Sequence, residues 1–281
     1  TLREFEMTSR DGRRTRLDGI DYKGQPAGYA SQPGETVNYV ENHDNQTLFD
    51  INAFKLPQDT SREDRARVQV LGMAHTAFSQ GVAYFHAGID TLRSKSLDRN
   101  SYDSGDWFNR FDWTYRDNFF GSGLPPAPDN GRDWPLMRPL LADATIKPLP
   151  EHIAFARDAM LDLLRIRAST PLFRLRSADE VKRRLSFPNS GPLQNPLVLV
   201  GRLDGDGLEG ARFREALYFI NASPDTQTLV LPELRGKPYV LHPVHGSERA
   251  ADRRPRQSAR HDAGTGTFAI PPRTALVYVL E

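Results

Sequence analysis

Near residue 173 the sequence changes its grammar. Beyond that point come VKRRLSF (181–187), NPLVLVGRL (195–203), EALYFINAS (215–223), TQTLVLPEL (226–234), YVLHPV (239–244) and TFAIPPRTALVYVLE (267–281), short apolar runs separated by Gly, Pro, Asp and Asn. Short β-branched and aromatic runs between turn residues are the pattern of an antiparallel β-sandwich. Before it the pattern is different. Val37–Glu41 and Val82–Phe85 read as strands, and SREDRARVQVLGMAHTAFSQ (61–80) between them reads as a helix. Ser61 and Asp64 stand at capping spacing, Val68, Leu71, Ala74, His75 and Phe78 trace one apolar face, and Gly81 follows as a stop signal. A strand–helix–strand unit implies parallel neighbouring strands with a right-handed crossover. PEHIAFARDAMLDLLRIRA (150–168) is a second helix, with Pro150 in its first turn. Residues 1–36 and 89–148 read as long loops. The expected fold class is therefore α/β followed by all-β, divided into domains at 1–172 and 173–281.

Composition narrows the function classes. Lys plus Arg (37) nearly cancels Asp plus Glu (36), so no global field recruits nucleic acid or an anionic membrane. No apolar run approaches a membrane span. With no cysteine, disulfides, thiolate metal sites and cysteine nucleophiles are excluded. The N-terminal residues TLREF lack an initiator Met, a basic region and an apolar region, so no leader is read there and the compartment stays open. The expectation is a start within a longer polypeptide.

The chemistry concentrates in two stretches. One is VNYVENHDNQTL (37–48), where a strand runs straight into Glu41-Asn42-His43-Asp44-Asn45-Gln46-Thr47. Taken alone, this is equally the pattern of an ordinary strand with a polar turn. The other is RSKSLDRNSYDSGDWFNRFDW (93–113), rich in the aromatic faces and planar polar groups that line sugar clefts, though also consistent with a solvated loop. Other motifs carry less. Gly205-Asp206-Gly207-Leu208-Glu209-Gly210 matches a dinucleotide fingerprint, but a strand follows it and its two carboxylates would repel a pyrophosphate; it reads as a hairpin loop. His86 with Asp90, and His43 with Asp44, lack a third ligand at metal-like spacing, which argues against a catalytic metal. Arg249–Arg260 has no interleaved aromatics and reads as a solvated loop. Asn45-Gln46-Thr47 and Asn221-Ala222-Ser223 match the glycosylation sequon by spacing only.

Together, DYKGQPAGYA (21–30), ETVNYVENHDNQTL (35–48), LRSKSLDRNSYDSGDWFNR (92–110) and STPLF (169–173) make the chain resemble the C-terminal portion of a pullulanase-type α-1,6-glucosidase. These are debranching enzymes of the α-amylase superfamily. The resemblance runs nearly end to end, and GVAYFHAG (81–88) is similar to the family's eighth-strand segment. It implies the last part of a (β/α)8 barrel, with Val37–Glu41 and Val82–Phe85 as strands seven and eight, followed by the β-sandwich. Catalytic groups of such barrels lie at the C-terminal ends of strands.

The resemblance further implies that Asp44 is the carboxylate that steadies the oxocarbenium-like transition state. His43 would hydrogen-bond the same glucose ring, with Asn45 beside it. Arg99, Asn100, Tyr102 and Asp103 would wall adjacent glucose sites. Many pullulanases have Arg-Asp where this chain has Arg99-Asn100; Asn keeps an acceptor, adds donors and loses the charge. Retaining hydrolysis needs a nucleophile and a general acid about 5 Å apart, and in this superfamily these come from strands four and five, in the N-terminal part of the polypeptide. The implied partners are a branched α-glucan and that missing N-terminal part. No cofactor is implied; a structural calcium is compatible with the full-length protein and is placed on no residue here. The alternative class is a non-catalytic glucan-binding or scaffolding module, which titration with maltooligosaccharides separates from an enzyme.

Overall fold

The computed structural model describes residues 1–281. In chain order its elements are β1 (Glu6–Thr8), β2 (Arg14–Arg16), β3 (Asp21–Tyr22), β4 (Gln25–Pro26), β5 (Val37–Asn38), α1 (Leu48–Lys55), α2 (Arg62–Phe78), β6 (Val82–Ala83), α3 (Asp106–Asn109), α4 (Ala127–Asn130), α5 (Trp134–Ala142), α6 (Pro150–Ser169), α7 (Ala178–Arg184), β7 (Leu185–Ser186), β8 (Val198–Asp204), β9 (Glu215–Asn221), β10 (Gln227–Val230), β11 (Val240–Leu241), α8 (Pro243–Gly246), α9 (Arg254–Ser258), β12 (Arg260–Asp262), β13 (Thr267–Ile270) and β14 (Thr274–Leu280). The fold mixes helices with small, mainly antiparallel sheets. It divides into two compact units, one of Thr1–Asn38, Ala77–Ala83 and Asp162–Glu281, the other of Tyr39–Thr76 and Tyr84–Leu161. No helix is long and apolar enough to cross a membrane.

In the first unit, β5 and β6 pair in parallel, Val37 opposite Val82 and Asn38 opposite Ala83. The expected strands 37–41 and 82–85 are thus shorter than the apolar runs suggested. The Asn38 side chain donates to the Gln80 carbonyl and the Val82 N–H to the Thr36 carbonyl (2.8 Å), fixing the register. Residues 1–36, read as loop, instead form two hairpins, β1–β2 and β3–β4. The second turns on Lys23-Gly24, both at positive φ, as a two-residue hairpin requires.

Five strands in the order β11-β14-β9-β8-β7 form one antiparallel sheet, and β10-β13-β12 form another. Val198, Val200, Leu217, Phe219 and Leu276 of the first share a core with Leu229, Phe268 and Ile270 of the second. VKRRLSF is the misread run: its first four residues close helix α7, which Ser177 caps by accepting the Glu180 N–H, and only Leu185–Ser186 is strand. Basic residues in the last turn complement the helix dipole, a signal the run's β-branched start obscured. The 205–210 glycine motif joins β8 to β9 in a hairpin, with the Gly205 N–H donating to the Arg214 carbonyl (2.7 Å). Asn221 is fully buried, and its amide donates to the Asp225, Ile270 and Pro271 carbonyls, so it is no glycan acceptor.

The second unit is built on α1, most of α2, α5 and the front of α6. Ser61 caps α2 through the Asp64 N–H (3.1 Å). Of the apolar face assigned to α2, Leu71, Ala74 and Phe78 are buried, whereas His75 is exposed and Met73 is buried in addition. The core joins Phe49 and Ala53 of α1, Ala66 of α2, Met137 of α5 and Ile153 and Ala156 of α6 to Leu92, Leu97 and Phe120. Residues 89–148, read as a long loop, carry α3, α4 and α5; outside those helices the segment is pinned by Leu92, Leu97 and Phe120, whose side chains are spent on the core rather than on a periodic face.

Candidate functional site

The segment 41–48 is a turn that feeds a helix, and several of its polar residues have local tasks. The Asn42 side chain accepts the Asp44 N–H at 2.8 Å, and Asn45 takes a left-handed conformation (φ 58°) that Asn tolerates well. Thr47 is the N-cap of α1, its hydroxyl accepting the Asp50 N–H. Glu41 is buried at the head of the turn. One of its oxygens accepts the Leu48 N–H and the other lies 3.1 Å from His86 Nδ1, so one carboxylate ties the two ends of the turn together. The result lifts Asp44 to the surface with 67% of its side chain exposed and His43 Nε2 3.7 Å from its Oδ1.

Two depressions meet at Asp44. The smaller, about 120 Å³, is bordered by His43, Asp44 and Tyr102, with His86, Arg93 and Lys95 in its wall; the larger, about 480 Å³, is bordered by Asp44, Asn45, Arg99, Asn100 and Asp129. Asn100 borders both. The structure therefore gathers His43, Asp44, Asn45, Arg99, Asn100 and Tyr102 around one carboxylate. Asp103 is exposed and borders neither depression. Tyr102 is 84% exposed, a free aromatic face at the rim. Asn100 is oriented by two contacts: its N–H donates to Asp98 Oδ1 (2.9 Å) and its amide donates to Asp129 Oδ2 (3.1 Å). The carboxylate absent at position 100 thus has a neighbour at 129.

Sequence reasoning missed the layer under this turn. Glu41, Asp50, Arg93, Lys95 and Asp98 are all buried. Asp50 accepts from Ser94 Oγ (2.5 Å) and the Lys95 N–H (2.7 Å), yet complete burial still pushes its carboxyl up to about 6. Burial likewise lowers the Lys95 ammonium, against the attraction of Asp50 and Asp98. Arg93 is lowered by burial too, and its guanidinium stacks on Phe111 at 3.9 Å. The available signal was RSKS: two cations spaced by serines inside a run whose flanking leucines are core. No cluster of three or more His, Asp or Glu is placed to hold a metal ion.

Residues 115–281 match the family model described as alpha-1,6-glucosidases, pullulanase-type, C-terminal. The chain is 41% identical over 286 residues to pullulanase 1, chloroplastic, of Arabidopsis thaliana, covering 99% of this chain and 29% of that protein. It is 34% identical to a pullulanase of Klebsiella pneumoniae over 99% of this chain and 25% of that one. Among solved structures, PulA from Klebsiella oxytoca superposes with a TM-score of 0.90 at 33% identity, over 99% of this chain and 26% of that chain. The maltotriose complex of PulA from Klebsiella pneumoniae gives 0.90 at 33% identity, over 99% and 30%. The chain thus spans between a quarter and three-tenths of the length of these relatives. It belongs to the pullulanase-type alpha-1,6-glucosidases and corresponds to their C-terminal portion.

Proposed function

We propose that this chain forms one wall of a debranching active site that cleaves α-1,6-glucosidic linkages in pullulan, glycogen or amylopectin-derived dextrins with retention of configuration. Residues 1–172 would be the last part of a (β/α)8 barrel and 173–281 a β-sandwich domain. Asp44 supplies the carboxylate that stabilises positive charge developing on the ring. His43 and Asn45 hold hydroxyls of the same glucose, and Arg99, Asn100 and Tyr102 contact its neighbours. The nucleophile and general acid are assigned to sequence outside these 281 residues, and the chemistry takes no cofactor.

The observation that carries this reading is the turn itself. An exposed carboxylate sits on a backbone clamped from three directions, between two depressions bordered by hydrogen-bonding groups, among them Asn45, Arg99, Asn100 and Tyr102. A charge held in place before the reaction costs no reorganisation when the oxocarbenium ion forms. In the complete polypeptide, Asp44→Asn is expected to lower kcat on pullulan by about 10²–10³-fold, with an unchanged far-UV spectrum and melting temperature. Near-normal turnover in that variant would remove the assignment.

A further inference from the structure

We infer that Lys95 is a positioning residue for Asp44, holding the catalytic turn from beneath by its backbone. The inference rests on the reading of Asp44 as the transition-state-stabilising carboxylate. The Lys95 side chain is 1% exposed, so its ammonium makes no use of water. It donates to the Asn45 carbonyl at 2.7 Å and to the His43 carbonyl at 3.3 Å. These are the carbonyls on either side of Asp44. One buried cation thus ties down the peptide unit entering Asp44 and the one leaving Asn45, bracketing the backbone that carries the Asp44 carboxylate, with its hydrogen bonds going to these carbonyls and not to that carboxylate. The separation matters: a cation paired directly with Asp44 would neutralise the charge the transition state needs, whereas carbonyl ligation leaves it free.

The surroundings are built for this task. Facing Lys95 are Asp50 from α1, Asp98 from its own segment, Glu41 from the turn and Arg93 two residues before it. Asp50 receives the Lys95 N–H, so the backbone of Lys95 is held while its side chain reaches the turn. Leu92, Ser96 and Leu97 adopt left-handed backbone, with φ of 56°, 54° and 70°. Such a conformation is unfavourable for non-glycine residues, and Leu92 and Leu97 are held there by complete burial. A strained segment delivers a lysine to one point, and that point is the Asp44 turn.

The test is a double-mutant cycle in the complete polypeptide, assayed on pullulan. Lys95→Met is expected to lower kcat by about 30-fold or more while KM moves less than about threefold, because the loss falls on the transition state rather than on ground-state binding. In an Asp44→Ala background the same Lys95→Met change is expected to cost less than about threefold, since both substitutions remove one interaction. Hydrogen exchange in segment 42–46 is expected to accelerate in Lys95→Met while α1 keeps its protection. Unchanged kcat, or a full multiplicative loss in the Asp44→Ala background, overturns the inference, as does unaltered exchange in 42–46. If Lys95→Met loses its folded spectrum, Lys95→Gln, which keeps a donor without the charge, takes its place in the same comparison. Failure of the underlying reading looks different: Asp44→Ala alone would then turn over normally, and the exchange result would still decide whether Lys95 holds the turn.

Discussion

Glu215 and Asp44 show the two uses a fold has for a carboxylate. Asp44 is kept in the open, its charge unspent. Glu215 is buried at the start of β9, where burial alone would raise its carboxyl; bidentate bonds from Arg202 (2.8 and 2.7 Å), one from Lys237 (2.6 Å) and one from the Tyr239 hydroxyl overcome that and hold it down at about 2. Removing one member of a buried ion pair costs about 3–5 kcal/mol. Because Arg202 and Lys237 are each about a quarter exposed and can recover some hydration, the loss for Glu215→Gln is nearer 2–3 kcal/mol. A drop of several degrees in melting temperature is the expected result, and an unshifted transition would show that the network is only surface decoration. Asn221 follows the same logic without charge. It looks like a glycosylation sequon in the sequence, yet its amide is consumed by three carbonyls at the β9 end.

Gly81 decides how α2 ends and β6 begins. It sits at φ +92°, and a Cβ there would lie 2.7 Å from the Pro33 carbonyl oxygen and 2.8 Å from that of Thr36. Both are backbone atoms, so they yield only if β5 shifts. Arg167 adds to the demand by donating to the Ala77, Ser79 and Gly81 carbonyls, satisfying the end of α2. Gly81→Ala is therefore expected to destabilise by roughly 2–4 kcal/mol, the left-handed penalty plus the displaced register, measured by urea unfolding. A loss under about 0.5 kcal/mol would mean that the β5–β6 pairing tolerates the shift. The helix and its stop were legible because capping serine, apolar period and glycine all agreed. The hairpins in 1–36 were not, because pairs of two and three residues leave no periodicity to read. Helix α1 was hidden for a related reason: its cap, Thr47, lies inside the polar cluster and looked like part of the site. The layer of Glu41, Asp50, Lys95 and Asp98 was illegible in another way. Charged residues read as surface, and only tertiary pairing makes them interior.

Acid sensitivity belongs to the molecule as a whole, and two histidines set its onset. At neutral pH the 37 Lys and Arg are balanced by 36 Asp and Glu, so global repulsion is negligible until carboxylates protonate. Before that range is reached, His242 and His245 come into play. Burial, the neighbouring His245 and Arg212 hold the His242 imidazole down at about 4, and burial does the same for His245 against the pull of Asp252 and Asp162. The structure explains why protonation is refused. His242 Nδ1 accepts the Val244 N–H (3.2 Å) as the cap of α8, while Nε2 meets the Ser169 hydroxyl at 3.0 Å; a proton on Nδ1 would confront the Val244 donor. His245 Nε2 is buried with no partner, so a proton there would gain neither water nor acceptor. In the unfolded chain both imidazoles titrate near 6.5. Between about pH 6.5 and 4 the unfolded state therefore binds protons that the folded state does not, and stability falls as pH falls through that window, then levels off with respect to these two groups below about 4. A shift of this size corresponds to roughly 3 kcal/mol for one histidine, and roughly 3–6 kcal/mol for the pair. Asp50, raised to about 6, works the other way, binding a proton more readily in the folded state below pH 6 and offsetting about one histidine there. The melting temperature is therefore expected to fall most steeply between pH 7 and 6 and more gently from there to pH 4.5, and His242→Asn, whose side chain can still accept the Val244 N–H, should roughly halve the steeper part. A melting temperature that stays level from pH 7 to 5 would mean that both imidazoles accept their protons in the folded state, as they do in water.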